Sequence, residues 1–272
     1  DRYPKKVKEY PLFRLVKGIQ TGKDEVFVVQ SDKFNEAWKE RLFPFIKGQH
    51  LSPFHIQDSE LALIVSHQYS PIIGQIDAIG KNPLYPSLNS YLIEKRLELE
   101  GRSRALGESW SFWRKGDERN TIDWGFQKLV WPYRGKEFFA AIDREGHYHS
   151  QDVILLTLNS VQLKKHLFSD FFDELVKSWV EFGIYFYLGV LNSQYFKDKL
   201  GRISKEFAPD VKDYQPNNFH HVDLPLYDLK DPLHKKVVET AKSLEILVND
   251  EKYSSKSYNE KISELNRAVI SV

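Results

Sequence analysis

The feature that most constrains the fold is the segment 12–30, in which two apolar runs flank a short polar tip. The runs, 12–19 and 26–29, are rich in Val, Phe, Leu and Ile, as β-strands are. Between them, Gly22 tolerates the positive φ angle that a tight turn requires. The pattern therefore predicts a β-hairpin with Gly22 at its turn.

The tip of this predicted hairpin carries a hydroxyl, an amide, a cation and a carboxylate beside unhindered glycine backbone. Such a mixture is suited to hydrogen bonds with the base edges or phosphates of DNA. Gln20, Thr21 and Lys23 are therefore candidate DNA-binding residues. The alternative is an ordinary surface hairpin, and this segment alone does not decide between the two.

Composition narrows the class of protein. The chain has 272 residues, of which 41% are hydrophobic, and this is enough for one large or two modest domains with real cores. The absence of cysteine excludes disulfides, thiolate metal sites and cysteine nucleophiles. No apolar run is long enough to span a bilayer, so we expect no membrane partner and a cytoplasmic location.

The charges are unevenly distributed along the chain. The formal net charge is only +1, yet residues 1–50 carry 11 basic and 7 acidic side chains, and residues 102–136 carry 8 and 4. If these two segments converge in space, they form a basic face suited to phosphate contacts. The alternative is solvated surface with no shared role.

Periodicity predicts an α+β fold, with a mixed β-sheet domain that contains hairpins and a C-terminal helical part. Apolar runs predict strands at 60–67, 138–142 and 153–157, and the first is too continuously apolar for an exposed edge. Helical spacing predicts helices at 32–42, 85–100, 182–192, 231–249 and 258–270. The last two are amphipathic and are expected to pack as an antiparallel hairpin, with Ser257 and Glu260 as a candidate capping box.

A glycine-centred turn at 47–50 supplies a second set of candidates. Lys47, Gln49 and His50 offer a cation and two side chains that can read base edges, next to Gly48. A simple turn between two elements of secondary structure is an equally good interpretation.

A third set lies at 110–136, where aromatic and basic side chains alternate. Aromatic rings stack on bases and basic groups pair with phosphates, so this composition is typical of nucleic-acid binding. Tryptophan is more often a core residue, and we expect Trp110 and Trp131 to be structural. The candidates for DNA contact are Arg114, Lys115, Arg134 and Lys136.

Several short motifs resemble those of one known family, and they occur in its order. Gly18-Ile19-x-Thr21-Gly22-x-Asp24-x-x-Phe27 resembles the Gly-Ile-x-Thr-Gly-x-Asn-x-x-Phe signature of the TaqI-like C-terminal specificity domain of adenine-specific DNA methyltransferases and fused restriction-modification enzymes. Asp24 stands where that family often has Asn. The later motifs that match are Leu42 to Leu51, Tyr85-Pro86-x-Leu88-x-x-Tyr91-Leu92, Leu191-Asn192-Ser193 and, in part, Leu224-Pro225-Leu226.

The resemblance implies target recognition on double-stranded DNA, with catalysis in another domain. It implies a linker at 1–11 from an upstream methyltransferase domain of the same chain, a recognition domain at 12–230 and a helical hairpin at 231–272. S-adenosylmethionine is then expected in the upstream domain, and no cofactor is expected in residues 1–272. The nearest match to an Asn-Pro-Pro-Tyr adenine-binding loop, Asn82-Pro83-Leu84-Tyr85, lacks the second proline.

Two alternatives from other functional classes stay open. His147 and His149 lie two positions apart, and with the nearby Asp143 they are the candidate ligands of a free-standing metal-dependent hydrolase. No third ligand lies at a spacing characteristic of metal sites. The other alternative is a protein-interaction or specificity subunit in which the terminal helices dock a partner.

Overall fold

The computed structural model describes residues 5–6, 13–31, 41–65, 67–69, 76–78, 86–101, 124–159, 169–219, 221–250 and 254–272. The strands are β1 Lys5–Lys6, β2 Phe13–Lys17, β3 Val28–Gln30, β4 Leu42–Ile46, β5 Leu51–Ser52, β6 His55–Ile56, β7 Leu61–Ile64, β8 His67–Tyr69, β9 Ile76–Ala78, β10 Lys128–Pro132, β11 Arg134–Gly135, β12 Ala141–Asp143, β13 Tyr148–His149, β14 Val153–Leu158, β15 Lys205–Ala208, β16 Val211–Asp213 and β17 Asp223–Leu224. The α-helices are α1 Asp24–Phe27, α2 Pro86–Glu94, α3 Arg96–Glu100, α4 Ser169–Ser178, α5 Ile184–Asn192, α6 Gln194–Ile203, α7 Pro216–Phe219, α8 Pro232–Asn249 and α9 Ser255–Ile270. A 3₁₀ turn spans Gly48–His50, and a π-helical turn at Trp179–Gly183 joins α4 to α5.

The fold is α+β with mixed sheets and a C-terminal helical part, as predicted. The first four-stranded sheet is antiparallel and has the order β12-β10-β14-β2. The second has the order β13-β4-β7-β3, in which only the β13–β4 pair is parallel. A smaller sheet, β11-β16-β15, carries Arg134 at one edge. The strand predicted at 60–67 is confirmed as β7, which lies inside the second sheet.

The predicted hairpin at 12–30 is wrong. Strand β2 pairs with β14 in the first sheet, whereas β3 pairs with β7 in the second, so the polar tip is a crossover between two sheets. The chain leaves the first sheet at Gly18, where an added Cβ would lie 2.0 Å from the Ser150 carbonyl oxygen. Gly22 does adopt a positive φ of 77°. The local pattern predicted the turn correctly, but long-range pairing decided the partners of both strands.

The central strands of the first sheet are buried on both faces. Leu129 and Trp131 face a large core formed with the helices, while Val130 on the same strand faces a smaller core that includes Ile46. This two-sided burial explains why the strands are apolar without alternation. Trp131 is completely buried and stacks on Phe219, with 4.6 Å between ring centroids, as expected for a structural tryptophan.

The helix predicted at 85–100 is confirmed as α2 and α3, which are separated at Lys95. Its apolar stripe, Leu88, Leu92 and Leu99, is completely buried in the core of the second sheet. The helix predicted at 182–192 is confirmed as α5, and it covers the first sheet. Its last residue, Asn192, is buried and hydrogen-bonds both backbone groups of Ala140, through Oδ1 at 3.0 Å and Nδ2 at 2.9 Å.

The two C-terminal helices pack on each other and join the same core as α5. Gly189 of α5 permits this approach, because a Cβ there would lie 2.8 Å from Val237 of α8. Helix α9 begins three residues earlier than predicted. Its N-cap is Ser254, whose hydroxyl accepts the backbone N–H of Ser257 at 3.2 Å, so the capping box suggested at Ser257 is wrong.

Several predictions concern residues outside those that the structure describes. They include residues 32–40 of the helix predicted at 32–42, the structural role of Trp110 and the candidate contacts Arg114 and Lys115. The predicted end of that helix is wrong, because Leu42 is the first residue of β4. The proposed division at residues 11 and 230 stays a prediction. None of the described helices is both long and apolar enough to cross a bilayer.

Candidate nucleic-acid interface

Two of the predicted recognition segments meet at one groove, which we call the recognition groove. It has a volume of 620 Å³. Its walls come from the 3₁₀ turn, from the chain around β11 and from the loop before β14. The lining residues are Gly48, Gln49, Pro53, Pro132, Tyr133, Arg134, Gly135, Lys136, Glu137, Phe139 and Asp152. Segments about 85 residues apart in sequence thus lie together. Strand β4 pairs with β13, which places the 3₁₀ turn beside Asp152, and the pairing of β14 with β10 places Asp152 beside Tyr133.

Two contacts orient Arg134 at the edge of this groove. Its Nε donates to Asp213 Oδ1 at 2.5 Å, and its guanidinium lies 3.5 Å from the ring centroid of Phe207. The Arg134 side chain is 42% exposed, whereas that of Asp213 is only 8% exposed. Asp213 engages Nε and not the two terminal nitrogens, Nη1 and Nη2. Such a guanidinium can present the terminal nitrogens to a ligand in a fixed orientation.

Tyr133 connects the floor of the groove to strand β2. The ammonium of Lys17 lies 3.5 Å from its ring centroid, and the guanidinium of Arg134 lies 5.0 Å from it. Its backbone N–H donates to the Asp152 carbonyl at 2.6 Å. These contacts place two cations against one aromatic ring.

An ion pair links the Thr21 loop to Lys47, which directly precedes the 3₁₀ turn. The Thr21 hydroxyl donates to Asp24 Oδ1 at 2.5 Å, and Asp24 Oδ2 lies 3.2 Å from the Lys47 ammonium. The Lys23 backbone N–H also donates to the Thr21 hydroxyl at 3.1 Å. Because Thr21 is 1% exposed, its hydroxyl holds the loop together. The carboxylate at Asp24 thus has a defined position between Thr21 and Lys47.

The 3₁₀ turn is fixed from both ends. The Gly48 backbone N–H donates to Asp152 Oδ2 at 3.0 Å, and the Lys47 N–H donates to His50 Nδ1 at 3.1 Å. Burial lowers the pKa of His50, which favours the neutral ring whose Nδ1 accepts this hydrogen bond. Gln49 between these anchors is exposed.

The remaining candidates are distributed as follows. Lys136 is exposed and lines the groove, and Gln20 is half-buried in the loop before Thr21. The Lys23 side chain is 36% exposed and lies 4.0 Å from Glu25. The groove itself holds two cations, Arg134 and Lys136, and two carboxylates, Glu137 and Asp152, so its walls are close to neutral.

The candidate metal ligands form a different structure. Asp143 accepts from His147 Nδ1 at 2.8 Å, lies 3.2 Å from His149 Nε2 and is paired with the Lys128 ammonium at 2.8 Å. Among the described residues, no group of three or more His, Cys, Asp or Glu side chains could hold a metal ion. Lys128 occupies the position beside Asp143 that a cation would take. Nothing in the described residues favours the metal-hydrolase alternative.

Some residues that shape the groove were not predicted from the sequence. Asp152, Phe207 and Asp213 hold Gly48 and Arg134 in place through contacts across 104, 73 and 79 residues, respectively. Asp152 directly precedes β14 and Asp213 is the last residue of β16, and a carboxylate at a strand end is a weak local signal for a functional residue. Their partners could be identified only once the strand order was known.

No protein-family profile matches the sequence, and no curated protein matches it either. The fold does match solved structures, among them the type IIL restriction-modification enzyme MmeI in complex with DNA, with a TM-score of 0.62 and 13% sequence identity. The match covers 100% of this chain and 34% of that enzyme, so the chain spans about a third of its length. This chain therefore shares its fold with one part of a restriction-modification enzyme.

Proposed function

We propose that this chain recognises a short target sequence in double-stranded DNA for a restriction-modification enzyme. The observation that carries the proposal is the recognition groove, where an arginine oriented by Asp213, an exposed glutamine and an exposed lysine from distant segments lie together. Arg and Gln side chains read guanine and adenine edges in the major groove, and Lys pairs with phosphates. The fold shared with a part of MmeI, whose structure contains DNA, supports the same function.

The finer proposal is a target-recognition domain for a site-specific adenine-N6 DNA methyltransferase, with or without endonuclease activity. The ordered motifs that resemble the TaqI-like specificity domain support it. In such an enzyme an upstream domain binds S-adenosylmethionine and takes the flipped adenine. This chain then supplies selectivity, and residues 231–272 pack behind the recognition domain.

Each candidate has a distinct role in this proposal. Arg134 and Gln49 contact base edges, while Lys47, Lys23 and Lys136 contact phosphates. Thr21 acts indirectly, because its hydroxyl positions Asp24 and thereby Lys47. Gln20, His50, Arg114 and Lys115 complete the proposed contact set.

Selection of bound duplexes from a random-sequence pool tests the proposal. The wild-type protein is expected to enrich a short motif that contains a G·C pair. Arg134→Lys keeps the charge but loses the planar fork, so affinity for the enriched motif should fall by about 1–3 kcal/mol and preference at one base pair should relax.

The matched control is Lys256→Gln on α9, which removes a charge outside the groove and should leave the enriched motif unchanged. Circular dichroism of each variant establishes that it is folded. Absence of salt-dependent binding to any duplex would overturn the proposal, since phosphate contacts dominate the affinity of DNA-binding proteins.

A further inference from the structure

A second concavity, which we call the basic pocket, adjoins the recognition groove. It has a volume of 440 Å³ and shares Lys136 and Glu137 with the groove. One wall is a face of α6, and the opposite wall comes from the chain after β11 and from β16. Four of its lining residues are basic and two are acidic: Lys136, Lys197, Arg202, Lys212, Glu137 and Asp198.

Lys197 lies at the centre of the helical wall. Its side chain is half-buried, and burial lowers its pKa against the opposing charge of Glu137. A partly desolvated ammonium with little compensation gains more from an added anion than a fully solvated one does. The position of Lys197 in the fold therefore favours an anionic ligand.

The other cations are arranged around the same opening. The Lys212 ammonium donates to the Gly201 carbonyl oxygen near the end of α6, which fixes it against the wall. Arg202 is exposed at the rim. Of the two carboxylates, Asp198 already accepts a hydrogen bond from Gln194 Nε2 at 2.8 Å. The cations thus outnumber the carboxylates, whereas in the neighbouring groove the two are equal in number.

We propose that the basic pocket binds a phosphate group of the DNA backbone, next to the groove that reads the bases. This inference rests on the function proposed above and deepens it, because it assigns Lys197, Arg202 and Lys212 to contacts that are independent of sequence. Protein–DNA interfaces combine base contacts in one region with flanking phosphate contacts that fix the register. The pocket supplies the positive charge that the walls of the groove lack.

The test measures how duplex affinity depends on salt concentration, between about 50 and 200 mM. The slope of log K against log salt is negative, and each lost phosphate contact reduces its magnitude by about 0.9. Lys197→Gln and Arg202→Gln are each expected to reduce the slope by roughly this amount, without changing the enriched motif. Lys256→Gln removes the same charge outside both concavities and should leave the slope at the wild-type value.

Replacement of single phosphates by neutral methylphosphonates gives a second readout. One replacement is expected to weaken wild-type binding but to have little further effect on Lys197→Gln. Lys197→Arg, which keeps the charge, should retain most of the wild-type slope. Because Arg202 is exposed, its variant tests the pocket even if Lys197→Gln disturbs the packing of α6.

The remaining outcomes separate the two proposals. If Arg134→Lys alters selection while the pocket variants keep the wild-type slope, the pocket assignment is wrong and the groove assignment stands. If the protein binds inorganic phosphate through Lys197 at constant ionic strength but binds no duplex, a free anion is the ligand, and both DNA assignments fail.

Discussion

Two groups of charged residues in this protein use similar side chains in opposite ways. Lys128, Asp143 and His149 have no exposed side-chain surface, and Asp143 lies within 3.2 Å of both other residues. Lys47 and Asp24 are paired at 3.2 Å, but their side chains are 31% and 45% exposed. We call these the buried charged cluster and the surface pair.

The two groups differ in whether water can solvate a charge that has lost its partner. Removal of one buried charge leaves the other without water, so the partners depend on each other for the stability of the fold. At the surface, water replaces a lost partner at little cost. A surface cation can therefore leave its carboxylate for a DNA phosphate, whereas a buried cation cannot. The same comparison explains why Asp143 and its neighbours are structural although their residue types suggest a metal site.

The largest expected effect is the loss of the buried cation. Lys128→Met should lower the free energy of unfolding by about 3–5 kcal/mol, because Asp143 then stays buried without its ammonium partner. Urea denaturation measures the change. The double variant Lys128→Met, Asp143→Leu removes both charges and should recover part of the loss. If Lys128→Met were as stable as the wild type, the buried charged cluster would contribute no more to stability than the surface pair.

The second prediction concerns pH. Burial lowers the pKa of His149 to about 4, although Asp143 opposes the shift. An unfolded histidine titrates near 6.5, so the unfolded chain binds more protons in the interval between the two values. Stability should therefore fall as the pH decreases from about 6.5 to about 4, by roughly 3 kcal/mol from this residue.

Asp143 acts in the same direction at lower pH. Burial alone would raise its pKa, but hydrogen bonds from His147 and His149 and the charge of Lys128 hold the pKa well below its usual range. Its contribution is therefore lost only as the pH falls below about 4. Urea midpoints at about pH 7 and pH 5 should differ less in His149→Gln than in the wild type and in His55→Gln, a control outside the cluster. Equal pH dependence in all three proteins would contradict the assignment to His149.

An ion pair of intermediate burial should give an intermediate effect. Arg144 bonds Glu245 through both terminal nitrogens, at 2.6 and 2.7 Å, and thus ties the end of β12 to α8. Glu245→Gln should cost about 1–2 kcal/mol, toward the lower end of the range for hydrogen bonds to a charged group because the Arg144 side chain is 37% exposed. Glu239→Gln, on an exposed face of the same helix, should stay within about 0.5 kcal/mol of the wild type. If the two variants were equally stable, the bidentate pair would have no special contribution.

The sequence predicted helices α2, α3, α5, α8 and α9 and strands β7 and β14, because the signals for these elements are local. The helical stripe of Leu88, Leu92 and Leu99 and the continuous apolar runs of β7 and β14 are signals that a short window contains. The hairpin prediction failed because strand partners depend on distant residues. Phe13–Lys17 pairs with residues about 140 positions later, and no turn signal encodes such a choice.

The candidate site shows the same limit. The motifs indicated Gln49, Arg134 and Lys136 as separate candidates, and the pairings of β4 with β13 and of β14 with β10 together bring them to one groove. Asp213 and Phe207, which orient Arg134, were not predicted because they lie on a later hairpin with no motif of its own. The sequence also did not indicate Lys197, Arg202 and Lys212 of the basic pocket. These residues are separated in sequence and lie in a part of the chain where acidic residues outnumber basic ones. They lie together because α6 packs beside β16.

The smallest expected effect on stability belongs to the surface pair. Lys47→Met should change the free energy of unfolding by less than about 1 kcal/mol, because water solvates Asp24 when the ammonium is lost. Under the proposed function, the same variant should weaken duplex binding for all sequences and lower the salt slope by about 1. Lys47 and Lys128 would then be opposites, the first dispensable for folding and needed for binding, the second needed for folding. The opposite result is a large loss of stability in Lys47→Met with an unchanged salt slope. Lys47 would then be needed for folding, as Lys128 is, and the surface pair would have no role in DNA binding.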